Sequence, residues 1–537
     1  MRRLRVYPDG MDATNVKQNA LVAGPDATGT GVFLARVFSR IFSRHVLNAS
    51  LLIFVLLSMS GNLRKPGELL SDPDIWWHLA NARILSATHH FIHLEPYSFS
   101  VAGERWINPE WLSEMPFWLG YRTLGLAGIY CVTAFGLCAN ILFVYWRSYR
   151  KTEHISAAFW ATAIGAVLMT VNSGPRTILF AYLAMSAEMA ILESAEPEKA
   201  RLLWLLPPLF CVWINLHGSW VIGIGLLGLY ILCGAFSMKL GVFEQEPFSS
   251  AGRKRLIQVF ICSAAALLVN PYGWRLIWNP IDMLLNQKLM ISVVAESQPL
   301  SLSSTIGKVA FAAIGLMVVA NCICARKWKI YELAFLFFAW FTAFNHARFA
   351  FLAGVLTIPL LAGDVARSFC AKSSEKTIPA FNALFAAGLV CAFVHFFPAN
   401  AALQNDMATS YPLQSIASIQ PSWRTFNSEG VSGMMDFNSK PTFLDSRYDT
   451  FEHHGVLRDY LERQNFHEPL ELLDKYRIDH ALLVANSPLS LLLEHTPGWR
   501  VERREGADDH AYVLFAKLPS ATGEQTRCVA VSSADSL

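Results

Sequence analysis

Long apolar segments alternate with short polar connections over most of this chain. Between residues 46 and 397 the apolar stretches recur at about the length that an α-helix needs to cross a bilayer, roughly 20 residues. The pattern predicts a polytopic α-helical membrane protein with about eleven spanning helices. The predicted spans are residues 46–62, 120–146, 155–172, 177–193, 202–216, 219–238, 256–270, 306–325, 331–345, 349–364 and 379–397.

The connections between these spans differ in charge when the spans are placed alternately across the membrane. With the N-terminus in the cytoplasm, most connections on that side carry clustered Lys or Arg, as the positive-inside rule requires. These basic connections are residues 147–151, 251–255, 325–329 and 364–376. The connection at 193–201 is mixed in sign. The opposite side receives a long first outer loop, residues 63–115, and short segments rich in Asn, His, Arg and Gly.

The C-terminal part of the chain has a soluble composition. Its strand-like runs are residues 424–427, 441–445, 480–485, 499–504 and 511–517, and its helical patterns are 456–464, 467–477 and 486–495. Strands that alternate with helices predict a small α/β domain at residues 398–517, on the extracytoplasmic side. The other predicted parts are a basic cytoplasmic segment at 1–45, a transmembrane domain at 46–397 and a disordered tail at 518–537.

Composition agrees with a membrane protein. Of the 537 residues, 53% are hydrophobic and 16% are charged, whereas soluble domains carry about 25% charged residues. The mean hydropathy is +0.33. A net charge of only +3 argues against nucleic acid as a partner. Most of the cysteines lie in or beside apolar segments, where cysteine behaves as a small hydrophobic residue, and no disulfide framework is predicted.

Two acids open the first helical pattern of the outer loop, in the stretch SDPDIWWHLANARIL at residues 71–85. Asp74 stands directly before that pattern, where it is a good helix N-cap. Capping needs only one acid, and Asp72 is a second. A partly desolvated carboxylate gains proton affinity unless a cation offsets it, which suits a general base. Asp74 is therefore a candidate catalytic base, with Asp72 as the alternative.

The rest of the outer loop holds further acids and histidines. Glu110 stands just before the second long apolar run. It is either a second catalytic acid or a carboxylate that the helix dipole favours. His89, His90 and His93 with Glu95 have the spacing of a zinc site, although histidines on a surface loop are usually solvated.

Arginine and histidine recur at the outer ends of later spans. Arg176 follows a Gly-Pro pair, Arg348 follows Asn-His-Ala, and His217 and His346 lie in similar positions. Arginine near the bilayer usually pairs with an anion or faces a water-filled cavity, and it binds phosphate bidentately. The four residues together are therefore predicted to bind an anionic ligand such as a phosphate. For either arginine taken alone, the alternative is that its side chain extends to the lipid headgroups.

Several neighbouring residues are candidates to line a substrate pocket. These are Trp77, His78, Asn215, Asn270 and Tyr272. The asparagines lie in NLHG and NPYG, which equally fit turns that end helices.

This set of features resembles the GT-C-fold glycosyltransferases, which use polyprenyl-phosphate-linked sugars as donors. The motifs are SDPDIWWHLANARIL, EPYSFSVAGERWINPEWLSE, WINLHGSW, NPYGW and NHARF, and they look like those of a bacterial branch of that superfamily. The resemblance covers most of residues 50–350. Two positions depart from the branch: Glu95 stands where Asp is more common, and Arg176 lacks a following Pro.

The resemblance implies a GT-C-like fold for residues 46–397 and sugar transfer at the extracytoplasmic face of a bacterial inner membrane, with inversion at the sugar. The partners would be the bilayer, a polyprenyl-phosphate sugar and an acceptor that is a glycan, a lipid or a protein. Asp74 would act as general base or help to hold a divalent cation, Mg²⁺ or Mn²⁺. The alternative is a non-enzymatic transporter or flippase of a lipid carrier or polysaccharide, although such proteins usually place charges near the bilayer midplane.

Overall fold

The computed structural model describes residues 44–59, 70–194, 197, 201–294, 297–369, 379–462 and 468–519. Most of the basic segment predicted at 1–45 and of the disordered tail predicted at 518–537 lies outside these residues. Both therefore stay predictions, as does the division of the chain into four parts.

Each segment predicted to span the membrane is largely helical within the described residues. In chain order the helices are α1 (Arg44–Met59), α2 (Asp74–Thr88), α3 (Trp111–Leu124), α4 (Leu126–Thr152), α5 (Ile155–Met169), α6 (Ile178–Ser194), α7 (Leu206–Leu216), α8 (Trp220–Cys233), α9 (Ser250–Ala266), α10 (Trp274–Asn286), α11 (Lys288–Val293), α12 (Thr305–Ile323), α13 (Ile330–Asn345), α14 (Ala350–Phe369) and α15 (Pro379–Phe396). A short hairpin, β1 (Met238–Leu240) and β2 (Phe243–Gln245), joins α8 to α9.

Length and apolar composition identify the clearest membrane helices. Within the described residues, four helical stretches are long and apolar enough to cross a membrane: Leu126–Thr152, Ile155–Asn172, Thr305–Ile323 and Ala347–Phe369. Shorter apolar helices lie at His45–Ser58, Arg201–Leu216, Trp220–Cys233 and Ile330–Asn345. The chain is therefore a multi-pass helical membrane protein, and the total of about eleven spans stays a prediction.

Helix α14 lies at the centre of the helical bundle. Its residues from Ala350 to Asp364 are all buried, and it packs against α4, α5, α12 and α13. Glycines permit the closest of these contacts: a Cβ at Gly165 on α5 would lie 2.9 Å from Cγ1 of Ile358. Helices in lipid gain little from burying apolar surface and associate through such close packing, for which small residues are suited.

The C-terminal part contains a four-stranded sheet. Its elements in chain order are α16 (Asn400–Ser410), α17 (Leu413–Ser418), β3 (Thr425–Asn427), α18 (Glu429–Phe437), α19 (Tyr448–His453), α20 (Val456–Glu462), α21 (Pro469–Lys475), β4 (His480–Val484), α22 (Pro488–Glu494), β5 (Trp499–Glu505) and β6 (Tyr512–Lys517). The strand order is β3-β4-β6-β5; β3 pairs parallel to β4, and the other pairs are antiparallel. Alternating strands and helices follow the pattern predicted from the sequence.

One predicted strand does not join this sheet. Residues 441–445 instead pair with the first outer loop, where Thr442 forms an isolated bridge with Ser98. The carbonyl of Phe443 accepts hydrogen bonds from the hydroxyls of Ser98 and Ser100. The prediction that this segment is a strand of the sheet was wrong. The alternation of apolar and polar residues indicates an extended segment, but it does not say which neighbouring segment will pair with its backbone.

A buried arginine attaches this C-terminal part to the outer loop. The Nη2 atom of Arg447 lies 2.8 Å from Oε1 of Glu95, and the same guanidinium forms a two-pronged pair with Asp445. It also lies 4.7 Å from the ring centroid of Trp106 and 5.0 Å from that of Tyr97. The side chains of all three charged residues are 3% exposed or less. Because these charges are removed from water, the loss of any one of them would leave another buried charge without its partner, at a large cost in stability.

The start of α2 is the second point of attachment. A Cβ at Gly433 on α18 would overlap the carbonyl oxygen of Pro73, so only glycine permits this approach. The Nε1 atom of Trp76 donates to the hydroxyl of Tyr411 at 3.0 Å, and Arg83 donates to the carbonyl of Phe437 at 2.7 Å. The C-terminal part is therefore packed directly against the acidic stretch that opens α2.

We expect Arg447→Met to destabilise the protein by about 3–5 kcal/mol, because it leaves the buried carboxylates of Glu95 and Asp445 without their cation. Thermal unfolding of the detergent-solubilised protein measures the loss. The control is Arg500→Met, whose side chain is 61% exposed and which should change stability by no more than about 0.5 kcal/mol. Equal effects of the two substitutions would show that the buried pair does not hold the parts together.

Candidate active site

Asp72 and Asp74 lie side by side at the start of α2 but have different partners. Pro73 occupies the N-cap position, and Asp74 is the first helical residue. The capping expectation for Asp74 is therefore corrected: Oδ1 of Asp72 accepts the amide of Asp74 at 3.1 Å. The other oxygen of Asp72 lies 2.9 Å from Nη2 and 3.1 Å from Nε of Arg176. A carboxylate paired with a guanidinium favours its charged form and is a weaker proton acceptor.

The carboxylate of Asp74 is held by neutral donors. Its Oδ1 atom accepts from the hydroxyl of Ser446 at 2.5 Å and from Nε1 of Trp77 at 3.4 Å. Within the described residues it makes no ion pair. Ser446 directly precedes Arg447, so the buried pair described above fixes the serine that orients Asp74.

A third acid, from the C-terminal part, lies near enough to this pair to feel its charge. Glu429 is the first residue of α18 and forms a hydrogen bond with Tyr448. Burial raises the pKa of Glu429; the bond to Tyr448 lowers it, and the negative charges of Asp74 and Asp72 raise it further. Sequence reasoning missed Glu429 and Ser446, because Ser446 lies 372 positions beyond Asp74 and only the tertiary fold brings them together.

Glu110 is the centre of a second group of polar side chains. It occupies the N-cap position of α3. Its Oε2 atom accepts from the hydroxyl of Thr177 at 2.5 Å, and its Oε1 atom lies 3.2 Å from Nε2 of His217. The Nε2 atom of His78 lies 3.5 Å from Oε2. Because Thr177 follows Arg176 in the chain, this group is adjacent to the Asp72–Arg176 pair.

Glu114 is a fully buried acid that the sequence analysis did not identify. Its Oε1 atom lies 2.9 Å from Nδ1 of His78 and accepts from Asn81 at 3.0 Å, and its Oε2 atom accepts from Asn108 at 2.7 Å. Glu114 lies four residues after Glu110 on α3, and this spacing places two side chains on one helix face. The spacing in the motif PEWLSE was the signal that could have found it.

Two histidines beside Glu110 have pKa values shifted in opposite directions. For His78, burial lowers the pKa, but the hydrogen bond to Glu114 and the charges of Glu110, Glu114 and Asp74 outweigh it, and the pKa is raised. For His217, burial and the positive charges of Arg348 and His78 outweigh Glu110, and the pKa is lowered. His78 therefore favours the cation and His217 the neutral ring.

The tautomer of neutral His217 follows from its contacts. Its Nδ1 atom accepts from the amide of Ser219 at 3.0 Å, so the ring proton is on Nε2 and points towards Glu110. Arg348 acts electrostatically on this ring and donates from Nη2 to the hydroxyl of Ser297 at 2.6 Å. His346 donates from Nδ1 to the carbonyl of Ser297 at 2.6 Å. Arg348 and His346 thus lie on one short segment.

The structure brings most of the predicted site residues into one connected group. Contacts lead from Asp74 through Asp72 to Arg176, and from Thr177 through Glu110 to His78 and His217. No direct contact joins Asp74 to Arg348 among the described residues; the link is the charge of Arg348 acting on His217. The ring of Trp77 contacts that of His78 at a tilt of 36°, with ring centroids 3.6 Å apart.

Three predicted pocket residues lie beside this group and stabilise local structure. Asn215 accepts from Nε1 of Trp111 and donates to the carbonyl of Val269. The side chain of Asn270 closes the turn around Tyr272, whose hydroxyl donates to the carbonyl of Ile92. These contacts fit the turn alternative, and a substrate-contact role for the three stays a prediction.

The acids and histidines of the described residues are mostly engaged with other partners. Among the described residues, no group of three or more His, Cys, Asp or Glu side chains is placed to hold one. Both oxygens of Asp72 and one oxygen of Asp74 already accept hydrogen bonds. His89, His90 and His93 are exposed, and Glu95 is bound to Arg447.

Comparison with known proteins gives similar solved structures but no match to a known sequence. No protein-family model matches the sequence, and no curated protein sequence matches it either. Among solved structures, the fold is similar to that of ArnT from Cupriavidus metallidurans bound to undecaprenyl phosphate, over 93% of this chain and 100% of that one, with 13% identity and a TM-score of 0.48. At this TM-score the likeness is one of outline, so the roles of residues follow from their own contacts.

The raised pKa of His78 predicts a pH-dependent contribution to stability. Because the pKa is higher in the folded protein than the ordinary value of 6.5, protonated His78 stabilises the fold fully below pH 6.5, and the contribution is lost as the pH rises through the folded value. We expect His78→Gln to cost about 2 kcal/mol at low pH, the worth of hydrogen bonds to a charged group, and progressively less at alkaline pH. Thermal unfolding of the wild type and of His78→Gln, from below pH 6.5 to alkaline pH, measures the difference in stability between them.

The control for this experiment is His495→Gln, whose side chain is exposed. This variant should follow the wild-type pH profile. A constant difference between His78→Gln and the wild type at every pH would show that the imidazole is not charged in the fold.

Proposed function

We propose that this protein is a membrane glycosyltransferase that moves a sugar from a polyprenyl-phosphate-linked donor to an acceptor hydroxyl or amine. The reaction would take place at the extracytoplasmic face of a bacterial inner membrane. The observation that carries the proposal is the connected group at the end of the helices. In this group Asp74, a carboxylate without an ion-pair partner among the described residues, is joined through Asp72 to Arg176. Glu110 binds the hydroxyl of Thr177, the residue after Arg176, and contacts His217.

The contacts favour Asp74 over Asp72 as general base. Asp72 is neutralised by Arg176, whereas Asp74 is oriented by the neutral donors Ser446 and Trp77. Asp74 would take the proton of the acceptor as the acceptor atom attacks the anomeric carbon opposite the phosphate. The bond from that carbon to the phosphate oxygen breaks, its electron pair stays on the lipid phosphate, and the configuration of the sugar is inverted.

The cations would stabilise the departing lipid phosphate. Arg176, Arg348 and His346 would supply hydrogen-bond donors. Neutral His217 carries its proton on Nε2, which points towards Glu110, and this N–H would donate to a phosphate oxygen instead when the donor lipid is bound. Donors that are already in place at the site of developing charge give the largest single contribution in many enzymes. The amide of Ser219 would hold His217 in that tautomer, and the positive charge of His78 would favour its neutral form.

The C-terminal part would belong to the active site. It supplies the hydroxyl of Ser446 that donates to Asp74, and it carries Glu429, whose pKa the charges of Asp74 and Asp72 raise. A domain that is fixed to the first outer loop by Arg447 and carries polar groups towards the base is suited to bind the acceptor.

One observation favours the alternative of a lipid-carrier transporter or flippase. Glu188 lies within α6, is fully buried, and neither of its carboxyl oxygens has a hydrogen-bond partner among the described residues. Intramembrane acids are typical of transport proteins. A transporter would move the lipid-linked sugar without releasing its lipid phosphate, so product analysis distinguishes the two functions.

We expect purified protein in liposomes to release lipid phosphate from one of a set of polyprenyl-phosphate sugars when an acceptor is present. Asp74→Asn should lower this rate by about 10²-fold or more, because the general base is lost. The matched control is Asp406→Asn, an exposed aspartate on α16, which should keep the wild-type rate. A rate that survives Asp74→Asn at normal protein level would contradict the assignment.

Ser446→Ala tests the contribution of the C-terminal part. We expect kcat to fall about tenfold with KM for the lipid donor unchanged, because one hydrogen bond to the charged base is lost. The control is Ser418→Ala, because the Ser418 hydroxyl donates to the carbonyl of Ser415 within its own short helix. A rise in KM alone would place Ser446 in donor binding instead.

A further inference from the structure

An apolar groove runs along α12 and α13, apart from the candidate active site. Its first part has a volume of 330 Å³, and its second part, of 550 Å³, continues towards Asn345. The residues common to both parts are Ile314, Leu333, Leu336 and Trp340. Helix α13 has 16 residues and is therefore about 24 Å long, which approaches the roughly 30 Å of bilayer hydrocarbon. The groove has the length and the lining for a lipid chain.

A buried arginine lies at one end of this groove. Arg326 is 8% exposed, forms part of the groove wall, and its guanidinium lies 3.5 Å from the ring centroid of Trp328. Its Nη1 atom lies 3.3 Å from Glu332 and its Nε atom 3.3 Å from Asp364. Its Nη2 atom is buried and makes no hydrogen bond within the described residues. An unsatisfied charged donor beside an apolar groove calls for an anionic partner.

The charges around Arg326 do not balance. The basic side chains at this end are Arg326, Lys327, Lys329, Lys151 and Arg367, and the acids that pair with them are Glu332, Asp364 and Glu244. Five cations against three carboxylates leave an excess of two positive charges in this part of the described structure. Basic pockets between membrane helices bind anionic headgroups.

We propose that this groove binds an anionic phospholipid of the surrounding bilayer. The phosphate headgroup lies at the basic end formed by Arg326, Lys327 and Lys329, and one acyl chain lies along Ile314 and Leu336. A zwitterionic phospholipid has no net charge to offset the excess. The proposal does not depend on sugar transfer, because the groove shares no residue with the candidate active site.

The site has a structural consequence for the other end of α13. That helix ends at Asn345, which also lines the groove, and His346 and Arg348 follow directly. A lipid in the groove would contact α13 over most of its length. It would therefore restrain the segment that carries two of the predicted phosphate ligands.

Native mass spectrometry of the full-length protein tests the proposal, with phosphatidylglycerol and phosphatidylcholine of identical acyl chains as probes. We expect binding of phosphatidylglycerol to be about tenfold tighter, as the charge excess predicts. Val318→Trp fills the groove and should lower this binding at least about fivefold. Val319→Trp is the matched control, because Val319 is 51% exposed and does not line the groove.

A second variant tests the charge of the headgroup site without removing a buried ion pair. Arg326→Gln leaves Asp364 and Glu332 buried without their arginine, so the double variant Lys327→Gln/Lys329→Gln is used instead. It should remove most of the preference for phosphatidylglycerol, whereas Lys308→Gln, at the opposite end of α12, should keep it. Three results would overturn the proposal: equal binding of the two lipids, equal effects of the two tryptophan variants, or displacement of phosphatidylglycerol from the groove by an equal amount of polyprenyl phosphate.

Discussion

The buried pairing of Arg447 with Glu95 and Asp445 is the interaction on which the arrangement of the site depends. It joins the C-terminal part to the first outer loop with charges that are almost completely removed from water. Two buried carboxylates without this arginine would be strongly unfavourable, so the two parts are held in a single register. That register sets Ser446 against Asp74. A structural ion pair thus determines the geometry of the carboxylate proposed to do the chemistry.

Partners distinguish side chains that look equivalent in the sequence. Asp72 and Asp74 are two residues apart, yet one is held by a guanidinium and the other by a serine and an indole. His78 and His217 both approach Glu110, yet the first favours the cation and the second the neutral ring. Local charge and burial therefore give similar residues different surroundings: Asp72 is held by a cation and Asp74 by neutral donors, while His78 favours the cation and His217 the neutral ring.

The polar candidate active site and the apolar groove lie on different helices of the bundle. The candidate active site lies where α2, α3, α6 and α7 begin or end, and the groove on α12 and α13 leads from the basic residues near Arg326 to Asn345. Such a layout suits a protein whose substrate has a long apolar tail and a reactive headgroup. A lipid bound in this groove, as proposed, would contact the helix that directly precedes His346 and Arg348.

The sequence by itself determined the helical membrane class, the positions of the helices and most of the α/β elements, because apolar length and local periodicity are properties of short segments. It also identified Asp72, Asp74, Glu110, Arg176 and His217 as candidates, because acids and arginines beside apolar runs are costly without a purpose. Only the tertiary structure decided that residues 441–445 pair with the outer loop, that Arg176 neutralises Asp72, and that Glu114, Glu429 and Ser446 join the site. Those contacts join residues tens to hundreds of positions apart, and no local pattern specifies which of several possible partners a buried charge will meet.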